Sequence, residues 1–339
     1  MKTPNKRVFF DYLPKGYFLD LDDKADLFSY LKNKKWFKAE EQVTDVEKAG
    51  EGNMNCTMRI QTTKKSYILK QARPWVEKFP EIKAPIQRNY VEKAFYDQVA
   101  QNELLAAQMP KVLHDDKDSC LLLMEDLGKG TDYADLYKGK KITDQEIEQL
   151  FYILQHLHEL EVEDNTVFLN EKMRQLNHAH MFIIPFQDNN GLDLDEITPG
   201  LESVKSKVIT DKLLLKNIND LGQRYLTSNT GSLLHGDFYP GSWLQTSSGI
   251  KVLDPEFCFL GEKEFDYGIM YAHLIVADQD VSLFKTISNR INMSTLLNYA
   301  GVEILRRLLG YAQLPIQLDL KQKEQLIQQA ITLLNCAKD

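Results

Sequence analysis

The segment LLHGDFYPGSWLQTSSGIKVLDPEF (233–257) is the densest in chemistry along the chain. The apolar pair Leu233–Leu234 stops at His235. Gly236, Pro240 and Gly241 then break any regular pattern, which leaves Asp237 in a loop. WLQ (243–245) and IKVL (250–253) are strand-like, and TSSG (246–249) between them reads as a hairpin turn. Antiparallel closure brings Ser242 and Asp254, at the two ends of the hairpin, close together, with Asp237 nearby. Asp237, Asp254 and Glu256 thus converge on one small volume. The residue before a proline is pushed toward extended geometry, and in an extended chain positions i and i+2 project to one face. Asp254 and Glu256 are therefore expected to face one divalent cation. Hard oxygen ligands of this kind suit Mg²⁺, which shares phosphate oxygens with its site. Asp237 is left to orient a hydroxyl nucleophile. His235 reads as a hydrogen bonder that fixes the loop, and Asp266, in FDYG (265–268), as a brace for its backbone.

Upstream, the pattern is that of strands. VTDVEKA (43–49), MNCTMRIQTT (54–63) and SYILKQA (66–72) are separated by GEGN (50–53) and a Lys-Lys turn. Cys56, Met58 and Ile60 alternate with polar residues, the period of a half-buried strand. These runs predict a small antiparallel meander. A helix is expected from about Ile86 to Leu105, and a shorter amphipathic one over Asp23–Trp36. Two strands follow, PKVLHDD (110–116) and SCLLLMED (119–126), and LGKGTD (127–132) then breaks the pattern. Beyond it the chain reads mainly helical. Thr143 and Glu146 have capping-box spacing, 185–200 reads as an acidic loop, 201–227 as helix, and 269–334 as helical. The expectation is an α+β chain of two lobes: residues 1–126, a small antiparallel sheet with one long helix, and residues 127–339, mainly helical. A cleft between two lobes is a common place for a ligand.

Composition narrows the partners. The chain has 339 residues, 41 Lys+Arg against 49 Asp+Glu, and a formal net charge of −8. That balance argues against a nucleic-acid binder, which needs a basic surface, but leaves room for an anionic ligand in a local basic pocket. Cys56, Cys120, Cys258 and Cys336 form no C-x-x-C pair and read as free thiols of a reducing compartment. No signal peptide or apolar run of membrane-spanning length is visible, so a cytoplasmic protein without a membrane partner is expected. His178 and His180, an H-x-H pair without a further ligand nearby, read as structural.

Phosphate chemistry also needs groups from the first lobe. Gly50, Gly52 and Asn53 form a turn whose small residues let backbone N–H groups approach phosphate oxygens. Lys70, on the third strand, is placed to neutralise the α- and β-phosphates, like the strand lysine of protein kinases. Glu92, on the following helix, is the nearest anion to pair with it. MEDL (124–127) ends an apolar strand at the expected lobe boundary, where backbone of Glu125 and Leu127 is placed to bond an adenine.

HGDFYPGS (235–242) followed by DPEFCFLGEKEFDYG (254–268) resembles the aminoglycoside-phosphotransferase and choline-kinase superfamily, which has the protein-kinase-like fold. Within it the chain is similar to the methylthioribose kinases. They too carry Ser where Ser242 stands, a DGN-x-N turn that reads EGNMN (51–55) here, a KQA-x-P strand end that reads KQARP (70–74), and the MEDL hinge. The resemblance implies an ATP- and Mg²⁺-dependent kinase acting on a small-molecule hydroxyl, specifically the 1-hydroxyl of 5-methylthioribose in methionine salvage. It implies Asp237 as catalytic base or hydroxyl-orienting residue and Asp254 and Glu256 as Mg²⁺ ligands. Gly52, Asn53, Lys70 with its partner Glu92, Glu125 and Leu127 would hold ATP. GVEILRRLLGYAQL (301–314) resembles the family helix with paired arginines, which implies substrate contact for Arg306 or Arg307. The resemblance also implies a homodimer. Two alternatives stand beside this reading: a kinase of the same chemistry acting on an aminoglycoside, a choline-like compound or another small alcohol, and a catalytically silent nucleotide-binding module. The chain departs from the family in having Glu51 for the usual Asp, fewer residues between DPEF and the arginine pair, and a middle section (176–200) without a clear counterpart.

Overall fold

The computed structural model describes residues 6–50, 54–128, 130–163, 165–229 and 231–335. The chain divides after Gly130 into two compact units.

The first unit contains α1 (Lys6–Tyr12), α2 (Lys24–Lys34), β1 (Val43–Lys48), β2 (Cys56–Thr62), β3 (Ser66–Gln71), β4 (Trp75–Val76), β5 (Phe79–Lys83), α3 (Arg88–Val99), α4 (Glu103–Ala106), β6 (Val112–Asp116) and β7 (Leu121–Glu125). The expected meander is there, extended by the last two strands into a five-stranded antiparallel sheet of order β1-β2-β3-β7-β6. The alternation of side chains decides what each face does. Met58, Ile60, Leu69, Leu121 and Leu123 pack with Leu27 and Leu31 of α2. Lys70 and Leu122, paired across β3 and β7, belong to the opposite face. Helix α3 packs against β6 and β7.

The long helix expected over 86–105 is two helices. Helix α3 stops at Val99, and α4 begins after Asn102, whose side chain accepts from the amides of Leu104 (3.0 Å) and Leu105 (3.2 Å). An asparagine that bonds the backbone ahead of it competes with helix continuation, and apolar periodicity does not reveal that competition.

The second unit contains β8 (Thr131–Asp132), α5 (Asp144–His158), α6 (Glu171–His178), α7 (Leu194–Ile197), α8 (Leu201–Thr210), α9 (Lys212–Thr227), β9 (Ser232–Leu234), β10 (Trp243–Thr246), β11 (Gly249–Val252), β12 (Phe259–Gly261), α10 (Glu264–Val276), α11 (Met293–Leu309) and α12 (Leu320–Asn335). The capping box of Thr143 and Glu146 opens α5. The segment 201–227 is split at Asp211, which accepts from the amides of Leu213 (3.1 Å) and Leu214 (3.0 Å) and so starts α9. The acidic stretch 185–200 is not loop throughout, since Asp193 caps the short helix α7. One apolar core joins α8 to α12 through Leu201, Ile218, Ile269, Leu305 and Ile327. Among the described residues no helix is long and apolar enough to cross a membrane.

Candidate active site

In the first unit, β3 is an interior strand whose Lys70 lies opposite Thr57 of β2 and Leu122 of β7. Helix α3 buries Arg88, Glu92, Phe95, Tyr96 and Val99, one stripe at i, i+3 and i+4 spacing. Glu92 therefore projects from the buried side, and its Oε1 lies 2.6 Å from Lys70 Nζ, with side chains 2% and 5% exposed. Arg88, one turn earlier, was not singled out by its sequence context. Its guanidinium donates to Asn55 Oδ1 (3.0 Å) and to the carbonyls of Met54 (2.9 Å), Arg73 (2.8 Å) and Pro85 (2.9 Å). It thereby fixes the chain just after the glycine turn. Gly52 and Asn53 themselves lie outside the described residues.

At the strand end, Arg59 of β2 grips Asp126 through two hydrogen bonds (2.7 and 3.3 Å), and Asp126 Oδ1 accepts from the Gly128 amide (3.0 Å). Burial pushes the Asp126 carboxyl up, but the hydrogen bond from Arg59 and its other donors outweigh that and hold it below its ordinary value. The Glu125 amide donates to the Lys111 carbonyl (2.9 Å). That hydrogen bond uses the Glu125 N–H within the sheet. The Leu127 backbone has no hydrogen bond among the described residues.

In the second unit, β9 pairs with β12 and delivers His235–Asp237 into the loop. Asp266, fully buried on α10, accepts from the amides of His235 (2.8 Å) and Gly236 (3.0 Å), and His158 Nε2 contacts it at 3.0 Å. His235 Nε2 faces the Leu253 carbonyl (2.8 Å) and therefore carries the proton, which leaves Nδ1 to accept from the Asp237 amide (3.3 Å). Gly236 has φ +82°, and a Cβ there would lie 2.1 Å from the Phe257 carbonyl oxygen, so no other residue fits. The hairpin forms in the expected register, Trp243 opposite Val252, and is lengthened by Leu253 N–H to Ser242 O (2.9 Å). Ser242 Oγ donates to the Asp237 carbonyl (2.7 Å), tying the loop to the hairpin base.

Asp254 differs from expectation. Its φ is +61°, a left-handed conformation, and the Pro255 carbonyl accepts from Cys258 N–H (3.0 Å), so the chain turns instead of running extended. The pre-proline rule disfavours right-handed helix, but aspartate tolerates the left-handed region. Tertiary bonds hold the turn: Asn170 Nδ2 donates to the carbonyls of Glu256 (3.1 Å) and Cys258 (2.9 Å). The same-face argument for Asp254 and Glu256 therefore does not apply. Asp254 is exposed and Glu256 buried.

Asp237 has a neighbour that only the fold supplies. Arg307 Nη2 of α11 lies 4.0 Å from Asp237 Oδ1, which is an ion-pair separation and not a hydrogen bond. Burial pushes the Asp237 carboxyl up, Arg307 and Arg306 pull it down, and the charges of Glu303 and Glu256 raise it again, leaving it at about 6. Glu303, fully buried, organises both arginines: Oε1 accepts from Arg307 Nε (2.5 Å) and Oε2 from Arg306 Nη1 (2.9 Å). His273 Nε2 lies 3.0 Å from Glu303 Oε1, and its Nδ1 lies 2.5 Å from the Tyr137 hydroxyl. Burial, with Arg307 beside it, pulls His273 down to about 4, so its imidazole is neutral. Burial raises Glu303, but Arg306 and Arg307 overcome it and hold the carboxyl well below its usual range. Arg307 Nη1 donates to the Ala312 carbonyl (3.3 Å), so Nη2 is the part of the guanidinium turned to Asp237. Glu303 was missed in the sequence, although an acid inside GVEILRRLL, at i−3 and i−4 from two arginines on an otherwise apolar stretch, is the signal that would have found it. A cavity of about 450 Å³ within this unit has Arg307, Val276, Leu308, Leu314, Leu318 and Lys323 in its wall.

The model of the phosphotransferase enzyme family (APH) matches residues 45–292, and the chain belongs to that family. It is an ATP-dependent phosphotransferase. It is 28% identical over 315 residues to methylthioribose kinase of Exiguobacterium sibiricum, a match spanning 78% of this chain and 79% of that one. It is 28% identical to methylthioribose kinase of Bacillus cereus over 73% of this chain, but only 64% of that relative's length. The solved structure of spectinomycin phosphotransferase APH(9)-Ia, in complex with ADP and spectinomycin, superposes with a TM-score of 0.55 at 14% identity, covering 93% of this chain and 98% of that one. A choline/ethanolamine kinase family protein from Mesorhizobium loti gives 0.52 at 11%, covering 93% and 95%. At these identities the two structures establish the protein-kinase-like fold alone.

Proposed function

We propose that the chain transfers the γ-phosphoryl group of ATP to a hydroxyl of a small sugar, with the 1-hydroxyl of 5-methylthioribose as the acceptor. The observation that carries the reading is Asp237, a carboxyl held at about 6 with the Arg307 guanidinium 4.0 Å away. A carboxylate with a raised proton affinity orients and accepts the proton of an alcohol, and a guanidinium beside it stabilises charge on a transferring phosphoryl group. The names of the relatives of Exiguobacterium and Bacillus support the choice of sugar.

Within this reading Lys70, fixed by Glu92, neutralises the phosphates of the nucleotide, and Leu127 offers backbone to adenine. Asp254 and Glu256 are the residues that would hold Mg²⁺. No group of three or more potential ligands exists among the described residues. Mg²⁺ takes only one or two carboxylates and completes its shell with water and phosphate oxygens, so two acids suffice as its protein ligands. The ion would neutralise charge on the phosphates.

The alternative acceptors, an aminoglycoside or a choline-like compound, are cations, whereas methylthioribose is a neutral sugar. ADP release measured with methylthioribose, an aminoglycoside and choline decides the matter. Saturable turnover with methylthioribose alone supports the reading, and turnover with either cation instead overturns it.

Two variants test the parts. Glu92→Gln leaves Lys70 buried without its carboxylate. The expected result is a KM for ATP raised about 10-fold or more, the cost of an uncompensated buried charge, with KM for the acceptor unchanged. Asp254→Gly relieves a left-handed backbone that costs a β-carbon about 1 kcal/mol. The variant should melt no lower than the parent yet lose turnover at any Mg²⁺ concentration. Full activity would remove Asp254 from the metal site.

A further inference from the structure

Lys323 is 5% exposed and lines the cavity of about 450 Å³ that also has Arg307 in its wall. Three features make this ammonium costly. It is buried, and burial pulls its proton affinity down with no carboxylate offsetting it among the described residues. Its one hydrogen bond is to Thr198 Oγ1 (2.7 Å), a hydroxyl that itself donates to the Ile197 carbonyl (2.8 Å). It also stands in the first turn of α12, where the helix dipole already places positive potential. Asp319, at the start of that helix, also lines the cavity, and its carboxylate is engaged as the helix cap, accepting from the Gln322 amide (2.8 Å). An ammonium has three protons, so Lys323, in the cavity wall, has two donors beyond the one given to Thr198 among the described residues. Buried charges are otherwise paired, and a fold that keeps one unpaired beside a cavity has a use for it.

We infer that this cavity is an anion site, in which Lys323 holds carboxylate or phosphate oxygens of a small molecule. The site is separate from the groups assigned to phosphoryl transfer, apart from the shared wall at Arg307, and the inference holds whichever sugar is the acceptor. The proposed acceptor sugar is neutral, so the anion is a free small molecule that modulates the enzyme.

The test is equilibrium binding of inorganic phosphate to the full chain saturated with ADP, at constant ionic strength. Lys323→Met, close in volume and uncharged, is expected to bind phosphate about 10-fold more weakly or worse, the scale of a lost charged hydrogen bond. Lys323→Arg is expected to retain binding. Thr198→Val removes only the internal partner and should bind phosphate at least as well as the parent. Phosphate binding that is equal in the parent and Lys323→Met, or absent from the parent, overturns the inference. With binding established, phosphate is expected to change the rate at saturating acceptor, and purely competitive inhibition against the acceptor overturns the separate site. If Lys323→Met does not fold, the comparison of Thr198→Val and Lys323→Gln with the parent reads the same difference.

Discussion

Asp237→Asn is expected to lower kcat by about 10²- to 10⁴-fold, the range for loss of a positioned acid or base, while ATP affinity stays nearly unchanged. The same substitution should make the protein more stable at neutral pH. The Asp237 carboxyl sits at about 6 in the folded chain against an ordinary 3.8. A raised carboxyl is favoured by the fold when protonated. The penalty is absent below about 4, where both states are protonated, grows as pH rises toward 6, and is complete above it. The displacement corresponds to about 3 kcal/mol at 1.36 kcal/mol per pH unit. The side chain is 27% exposed, so solvent reduces this to about 2 kcal/mol. Asp237→Asn should therefore raise the melting temperature at pH 7.5 by about 4–8 °C, with the gain fading as pH falls through 6. In the parent, kcat/KM should fall below pH 6 as the carboxylate is protonated. Near-normal turnover in the variant, or a stability gain equal at pH 4 and pH 7.5, would contradict the role and environment given to Asp237.

The second large effect is expected at Glu303. Its carboxylate is fully buried and accepts from Arg306, Arg307 and His273. Glu303→Gln removes the counter-charge of two guanidiniums, and breaking a buried pair from one side costs about 3–5 kcal/mol. A fall in melting temperature of about 10 °C follows from that cost. A purely structural role would stop there. The geometry adds a kinetic consequence, because Glu303 holds Arg307 Nε and keeps Nη2 at 4.0 Å from Asp237. Freed from Glu303, Arg307 closes on Asp237 as an ion pair, occupying the carboxylate and lowering its proton affinity. Turnover should drop, and the acidic limb of kcat/KM should move below pH 6. Glu303→Asp should recover part of both. A destabilised variant with an unmoved pH profile and normal kcat would show that Glu303 only supports the fold.

Much of the architecture was legible because local physics repeats along the chain. Period-two alternation marked β2 and β3, and the turn residues at 246–249 set the hairpin. The pairing of Lys70 with Glu92 was legible because a strand lysine and an acid on the next helix meet when both elements pack face to face. Helix ends were less legible. Asn102 and Asp211 interrupt apolar stripes by bonding the backbone ahead of them, and periodicity does not register a cap. Asp254 failed for a related reason. The pre-proline rule is local, whereas its left-handed conformation is held by bonds from Asn170, far away in sequence.

The amino-acid order alone determined a mixed fold of two units and a loop carrying Asp237, Asp254 and Glu256 around a hairpin, since turns, alternation and caps act over a few residues. Only the tertiary structure decided that Arg307 and not Arg306 approaches Asp237, that Glu303 aims it, and that Lys323 is buried in a cavity wall shared with Arg307. Those outcomes depend on how α11 and α12 pack, and Coulomb energy in a desolvated site follows distance in space, which separation along the chain does not encode.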